Sequence, residues 1–354
     1  MQSILQPPQA PHQHGGQLLA ASHKYQIPLS QWLDLSTGIS PFVYPLPNVP
    51  ITCWQRLPEI NDGLEQAASS YYGSANLLAV SGSQEAIQCL PLIFPKKQKV
   101  GILEPAYHSH QQAWAEQGHN VITLTTEQVE SQLDCLDILL VVNPRNPSAE
   151  TLSTQRLEKW HQILQQNNST LLVDEAFMDA TPEQSLICNT PKQGLIVLRS
   201  IGKFFGLAGI RLGFVWAEES ILQALAKHQD DWSVSHPARW AGKLALQDTH
   251  WHAQQRKRLP ELAIRLVALL EKYIFTRSLE TGGVYFNTTN QHVHHTALFA
   301  YFQHPRAKII HKQIAQQGIL TRLFNEESPA LRFGLPKDEQ QFKRLEKVLE
   351  GCTG

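Results

Sequence analysis

The stretch RSIGKFFGLAGIRLG (Arg199–Gly213) sets four glycines around a lysine and an arginine in a chain that uses charge sparingly. Lys203 stands three positions after Ser200, and Arg211 lies between glycines at 209 and 213. A surface loop would use the glycines for flexibility alone. A site for a phosphorylated, electrophilic ligand would also use the two cations. The rest of the chain decides between these two interpretations.

The composition is that of an ordinary folded protein. The chain has 354 residues, 42% of them hydrophobic and 17% charged, enough for a substantial core. Lys and Arg number 30 against 31 Asp and Glu, so nothing favours binding to nucleic acid or to an acidic membrane. The five cysteines are scattered without a CxxC pair, as in reduced cytoplasmic proteins. A cytoplasmic location is expected, since neither a signal peptide nor an apolar run of about 18 residues is found.

A histidine cluster is the one feature that suggests a metal. It reads HVHH at 292–295, but no matching group of cysteines or carboxylates accompanies it. Structural and catalytic zinc sites need three or four such ligands. We therefore expect no metal site.

Short apolar runs bounded by turns alternate with amphipathic segments along the first two thirds of the chain. The segment 153–167 places Leu157, Trp160 and Leu164 on one helical face. Such alternation predicts an α/β fold with a mostly parallel sheet covered by helices on both faces. The predicted strands lie within 100–105, 136–144, 170–176, 195–200 and 212–217.

The pattern changes after about residue 235, where longer helical segments such as 261–274 mix with strand-like runs such as 283–288. This predicts a smaller α+β domain. We expect residues 1–44 to form an N-terminal arm and part of the small domain, 45–235 the large domain, and 236–354 the C-terminal small domain.

Polar groups follow four predicted strands, at the sheet edge where ligands bind in such folds. SGSQEA (81–86) opens a helix whose free N–H groups favour a phosphate, although GS pairs also simply cap helices. NPRNPS (143–148) is expected to form a rigid turn whether or not it contacts a ligand. Asp174 ends an apolar strand and needs a cation or a hydrogen-bond donor to be buried there. Lys203 and Arg211 follow the last of these strands.

The ordered set resembles the fold-type-I pyridoxal-phosphate (PLP) enzymes, the superfamily of aspartate and histidinol-phosphate aminotransferases. The resemblance runs from STGISP (36–41) to LRFGLP (331–336) and implies PLP as cofactor and a homodimer. Ser200 and Lys203 also fit the S-x-x-K pair of penicillin-binding enzymes. That interpretation lacks the companion S-D-N and K-T-G motifs.

The resemblance assigns a role to each polar group. Lys203 would form a Schiff base with the cofactor aldehyde, and Asp174 would keep the pyridine nitrogen protonated, which improves the ring as an electron sink. Asn146 would bind the phenolic oxygen, Tyr107 would stack on the ring, and His110 would support the aspartate. Arg211 would bind the cofactor phosphate, because a guanidinium can donate two hydrogen bonds to it at once. The implied phosphate site comprises Gly82, Ser83, Gln84, Ser200 and Arg211.

Some positions depart from the family pattern. Leu57 stands where relatives often have a tyrosine that reaches the neighbouring subunit's phosphate, and Phe177 replaces another common tyrosine. Ala149 follows NPS where NPTG is usual. These differences affect individual cofactor contacts rather than the cofactor itself.

Within the superfamily, HGG (14–16), DLSTGISP (34–41), WQRLPE (54–59), TRLF (321–324) and LRFGLP are most similar to the threonine-phosphate decarboxylases of cobalamin biosynthesis. These carboxy-lyases convert L-threonine O-3-phosphate to (R)-1-amino-2-propanol O-2-phosphate. The resemblance implies that Arg332 pairs with the substrate carboxylate and Arg322 with its phosphate. The other implied substrate contacts are His14, Gly15, Gly38 and Asn146.

Two alternatives stay open at this point. Histidinol-phosphate aminotransferases share the scaffold and differ in which substituent of Cα stands perpendicular to the cofactor ring, the hydrogen or the carboxylate. An inactive relative retained as a binding subunit is the other alternative, against which the intact Lys203, Asp174 and Asn146 argue. His14 is also compatible with an arm residue that touches no substrate.

Overall fold

The computed structural model of the chain describes residues 15–276, 293–325 and 328–352. Its strands are β1 (Leu33–Leu35), β2 (Leu77–Val80), β3 (Lys99–Leu103), β4 (Asn120–Leu124), β5 (Ile138–Val142), β6 (Thr170–Asp174), β7 (Leu195–Ser200), β8 (Gly213–Trp216), β9 (His294–His295), β10 (Phe299–Gln303), β11 (Ile319–Phe324) and β12 (Ala330–Gly334). Its helices are α1 (Leu18–Tyr25), α2 (Thr52–Gln55), α3 (Leu64–Tyr72), α4 (Ser83–Ile93), α5 (His108–Glu116), α6 (Thr126–Gln132), α7 (Thr154–Gln166), α8 (Ile201–Phe204), α9 (Glu219–Ala226), α10 (His236–Gln247), α11 (Thr249–Leu270), α12 (Ala307–Gln316) and α13 (Glu339–Cys352).

Seven strands form the larger sheet, in the order β2-β8-β7-β6-β5-β3-β4. The pairs from β7 through β4 are all parallel, whereas β8 is antiparallel to both β7 and β2. The predicted mostly parallel sheet is therefore confirmed. Because β8 runs the opposite way, its first residue lies at the edge where the parallel strands end.

Helices cover both faces of this sheet, as predicted. Along β5, Ile138 and Leu140 pack on one face against α4 and α5, while Leu139 and Val141 pack on the other against α6 and α7. All of these side chains are buried. The predicted apolar face of α7 is buried too, with no exposure at Leu157, Trp160 and Leu164. A strand that is apolar on both faces is what a doubly covered sheet requires.

A second sheet is built mainly from the C-terminal part of the chain, in the order β1-β11-β12-β10-β9. β1 pairs with β11 in parallel, and the remaining pairs are antiparallel. Apolar residues of α11, α12 and α13 pack with its strands in one cluster, among them Leu266, Ile310 and Phe342. This is the predicted α+β part. The strand expected at 283–288 lies outside the described residues.

Three further observations concern the helices and the titratable groups. Helix α3 ends at Gly73, which adopts a left-handed φ of 75° just after the helix. Within the described ranges, no helix is both long and apolar enough to cross a membrane. In the same part of the chain, His, Cys, Asp and Glu side chains form no group of three or more arranged to hold a metal ion.

Candidate active site

The predicted polar groups meet at one edge of the large sheet. Tyr107 follows β3, Asn146 follows β5, Asp174 ends β6, Lys203 follows β7 and Arg211 precedes β8, so neighbouring strands deliver neighbouring side chains. They surround a cavity of about 270 Å³. Its lining includes the predicted residues Gly15, Gly38, Ser83, Gln84, Tyr107, Asn146, Asp174, Ser200, Lys203, Arg211 and Arg332.

Lys203 lies on α8, a single helical turn directly after β7. Its backbone carbonyl accepts a hydrogen bond from Ser40 N (2.9 Å), and its Nζ lies 5.7 Å from the centre of the Phe177 ring. Burial and then the charge of Arg332 lower the pKa of Lys203 to about 8, although Asp174 acts in the opposite direction. At pH 7 about a tenth of this amine is therefore unprotonated, far more than for an ordinary lysine, and the free amine is the form that acts as a nucleophile.

Asp174 is held at the base of the cavity by two partners. Nε2 of His110 lies 2.9 Å from its Oδ2, and Ala176 N donates to its Oδ1 at 3.1 Å. Asp174 is 3% exposed and His110 1% exposed. His110 itself lies behind Asp174 and does not line the cavity. The pair presents a fixed carboxylate to a ligand in the cavity.

One end of the cavity suits a phosphate. Gly82 has φ 73°, and a Cβ at this position would lie 2.6 Å from Nη2 of Arg211, so a side chain here would displace the guanidinium. The next residues, Ser83 and Gln84, are the first of α4, whose N–H groups have no acceptor within the helix. Ser200 reaches the same place because β7 and β8 pair it with Gly213. Helix dipole, backbone donors and arginine together form an anion site.

The opposite side of the cavity carries a buried arginine. Arg332 on β12 donates to Asn146 Oδ1 and, at 3.1 Å, to the carbonyl oxygen of Ser36. No carboxylate lies within 4 Å of its guanidinium in the described part of the chain, and its Nε has no partner there. Burial and then the charge of Arg322 lower the pKa of Arg332 to about 10. A buried cation without an anionic partner indicates an anionic ligand.

The predicted substrate residue Arg322 is not among the residues that line this cavity. Arg322 on β11 stands directly opposite Arg332 in the strand register, but it lines an adjoining cavity. Gly15 lines both cavities. His14 lies outside the described residues. Gly38 does line the first cavity, where it is packed closely against Phe177 and Phe299.

Sequence reasoning missed Ser36. Its carbonyl oxygen holds Arg332, and its Oγ accepts a hydrogen bond from Gly16 N (2.7 Å) and donates to Asp34 Oδ1 (2.6 Å). The available signal was its position just after β1, a strand of the second sheet that ends beside the site. The other cavity residues that were missed are Thr37, Ile39, Val142 and Ala176.

Glu175, the carboxylate that follows Asp174 in the sequence, has a structural partner. Glu175 is fully buried and pairs with Nη1 of Arg199 at 2.8 Å, while Nη2 of Arg199 pairs with Asp179. The guanidinium carbon lies 4.9 Å from the centre of the Tyr72 ring. This network links β6 to β7 directly below Asp174 and Ser200.

Comparisons with known proteins agree with this geometry. Residues 57–345 match the family described as aminotransferase class I and II. The threonine-phosphate decarboxylase of Pseudomonas aeruginosa is 46% identical over 96% of this chain and 97% of its own length, and that of a Sinorhizobium species is 35% identical over 96% and 98%. The crystal structure of histidinol-phosphate aminotransferase from Sinorhizobium meliloti in complex with pyridoxal-5'-phosphate superposes with a TM-score of 0.76, at 17% identity, over 95% of this chain and 94% of that one. This chain belongs to the aminotransferase class I and II family.

Proposed function

We propose that this protein is a PLP-dependent decarboxylase that converts L-threonine O-3-phosphate to (R)-1-amino-2-propanol O-2-phosphate, a step of cobalamin biosynthesis. The observation that carries the proposal is the likeness along nearly the full length to a threonine-phosphate decarboxylase, at 46% identity. The buried arginine without an anionic partner supports an amino-acid substrate.

The residues at the sheet edge fit PLP. The start of α4 with Ser200 and Arg211 suits its phosphate, Asp174 its ring nitrogen, and Asn146 its phenolic oxygen. Lys203 suits its aldehyde. When bound, PLP supplies an electrophilic aldehyde and a conjugated ring that accepts the electron pair released at the substrate's Cα.

The protein's own groups would orient the substrate and manage protons. Arg332 would bind the carboxylate and orient it for the loss of carbon dioxide. Asp174, supported by His110, would hold a proton on the ring nitrogen. The ammonium form of Lys203, whose pKa is lowered to about 8, would return a proton to Cα after carbon dioxide has left.

Amino transfer is the alternative reaction, and a turnover experiment separates it from decarboxylation. Decarboxylation consumes no amino acceptor, so L-threonine phosphate alone should yield carbon dioxide and aminopropanol phosphate through many turnovers per site. An aminotransferase would stop after one turnover and resume when 2-oxoglutarate was added. A single turnover, or brisk glutamate-dependent activity on imidazole-acetol phosphate, would overturn the proposal.

We further propose that the protein works in the cytoplasm as a homodimer. Large apolar side chains between residues 51 and 60 are exposed, among them Ile51 (66%), Trp54 (65%) and Ile60 (76%). Such a patch is typical of an interface. The described cysteines form no disulfide, which suits a reducing compartment. Sedimentation equilibrium should give twice the chain mass of 39.9 kDa, and a monomer at micromolar concentration would contradict the dimer.

A further inference from the structure

A second cavity lies beside the first, separated from it by the backbone at Gly15. It also has a volume of about 270 Å³ and is enclosed by α1, α12 and β11. Gly15 has no room for a side chain, because a Cβ there would lie 2.4 Å from the carbonyl oxygen of Ser36. The two cavities are therefore separated by little more than one glycine.

The second cavity is lined by cationic side chains. Lys24 comes from α1 and Arg322 from β11, and none of α1, α12 and β11 contains an Asp or a Glu. Among the described residues, no carboxylate lies within 4 Å of either cation. Asp34, on the adjacent β1, is already an acceptor for Ser36. Within the described ranges, neither cation of this cavity thus forms an ion pair.

His311 on α12 adds a neutral donor to the two cations. Its Nδ1 lies 2.9 Å from Thr321 Oγ1, and Nε2 has no protein partner within the described residues. Burial, and then the charges of Lys24 and Arg322, lower the pKa of His311 to about 4. The ring is therefore neutral at neutral pH, and both cations are close enough to act on it. When Nδ1 accepts from Thr321, Nε2 carries the hydrogen and can donate to a ligand.

Arg322 of this cavity is a neighbour of Arg332, the residue that is proposed to bind the substrate's carboxylate. It is the direct register partner of Arg332, and antiparallel partners project from the same face of the sheet. It is also close enough to Tyr107 of the first cavity to interact with it electrostatically. A ligand whose carboxylate binds Arg332 can therefore place a second anionic group past Gly15, beside Arg322.

We propose that Lys24 and His311 complete, with Arg322, a subsite for the phosphate ester of the substrate. This inference rests on the proposed function in one respect, namely that the substrate bears a phosphate. Arg322 supplies paired N–H donors, Lys24 closes the mouth of the cavity with a second charge, and His311 donates through Nε2. The subsite selects phosphorylated amino acids over their free hydroxyl forms.

The test compares Lys24→Met with wild type in the PLP-loaded enzyme. Lys24 is exposed, so its replacement does not disturb packing. We expect the KM for L-threonine O-3-phosphate and the inhibition constant of inorganic phosphate both to rise about tenfold, the loss of one charge-assisted contact. Lys24→Arg should restore most of both. The matched control is Lys312→Met, an exposed lysine next to His311 on α12, and it should change neither constant.

His311→Gln provides a second measurement and keeps a polar side chain. It should raise the same two constants, with an unfolding temperature near that of wild type. If Lys24→Met leaves both constants unchanged while wild type decarboxylates phosphothreonine, the subsite is refuted and the proposed function stands. If wild type fails to decarboxylate but inorganic phosphate binds in a Lys24-dependent manner, the subsite stands and the proposed function fails.

Discussion

Nε2 of His110 lies 2.9 Å from Oδ2 of Asp174, and both side chains are shielded from solvent. The imidazole fixes the carboxylate at the wall of the cavity. We therefore expect the charge of Asp174 to act on a bound cofactor. A substitution that removes only this charge tests the expectation.

Asp174→Asn keeps the shape of the side chain and removes its charge. Without that charge the ring proton is no longer held, so turnover should fall by about 10³, about 4 kcal/mol of barrier. Turnover and bound cofactor are measured together. Asp134→Asn, at a site away from the cavity, is the control. Near-normal turnover in Asp174→Asn would show that Asp174 is only structural.

Lys203 should carry the cofactor covalently. Borohydride reduction of the holoenzyme followed by peptide mass mapping is expected to place the pyridoxyl group on Lys203. Lys203→Ala should retain some cofactor through the phosphate site while losing turnover. A label on another lysine would contradict the assignment.

The pKa of about 8 predicts how cofactor attachment depends on pH. Only the free amine reacts, so the rate at which apo-protein takes up PLP should rise as the pH increases through about 8. Arg332 lowers this pKa and Asp174 raises it, so Arg332→Leu should move the profile to higher pH and Asp174→Asn to lower pH. Stopped-flow absorbance measures the rate. Shifts in the reverse directions would disprove the electrostatic explanation.

Arg322 and Arg332 should divide the substrate between them. Arg322→Ala should weaken binding of phosphothreonine by about 1.5–3 kcal/mol and leave unphosphorylated threonine almost unaffected. Arg332→Ala should weaken both ligands alike. Binding is followed by the change in cofactor absorbance. An equal loss of both ligands in Arg322→Ala would place the phosphate elsewhere.

Arg199→Leu should destabilise the fold. It leaves Glu175 and Asp179 buried without their counter-charge, which costs about 3–5 kcal/mol of unfolding free energy. Urea unfolding of the apo-protein measures this loss. Lys192→Met, which breaks the exposed pair with Glu158, should cost less than about 1 kcal/mol. Equal effects of the two substitutions would contradict the importance of burial.

The sequence predicted those parts of the fold that have strong local patterns. β3, β5, β6, β7 and β8 were expected because their apolar runs are bounded by turns. β4 and β10 were missed, since segments of five residues do not distinguish a strand from a short helix by periodicity. In β4 the apolar residues are also interrupted by Thr123.

The site was predictable as far as chain order determines it. Residues that follow parallel strands necessarily meet at one edge, which placed Asp174, Lys203 and Asn146 correctly relative to one another. The separation of Arg322 from the first cavity depends on the position of Gly15, and the approach of Lys24 and His311 depends on how α1 and α12 pack. Contacts between distant segments leave no local signal in the sequence.

The antiparallel course of β8 has a consequence for conformational entropy. Ser200 pairs with Gly213, and Ile201 N donates to Leu212 O at 3.2 Å, so the segment that contains Lys203 and Arg211 is a loop with both ends fixed. Its ordering occurs when the chain folds, and little of that cost remains when a ligand binds. Lengthening this segment by a single glycine would loosen the relative positions of lysine and arginine, and cofactor affinity would fall even though every contacting residue remained.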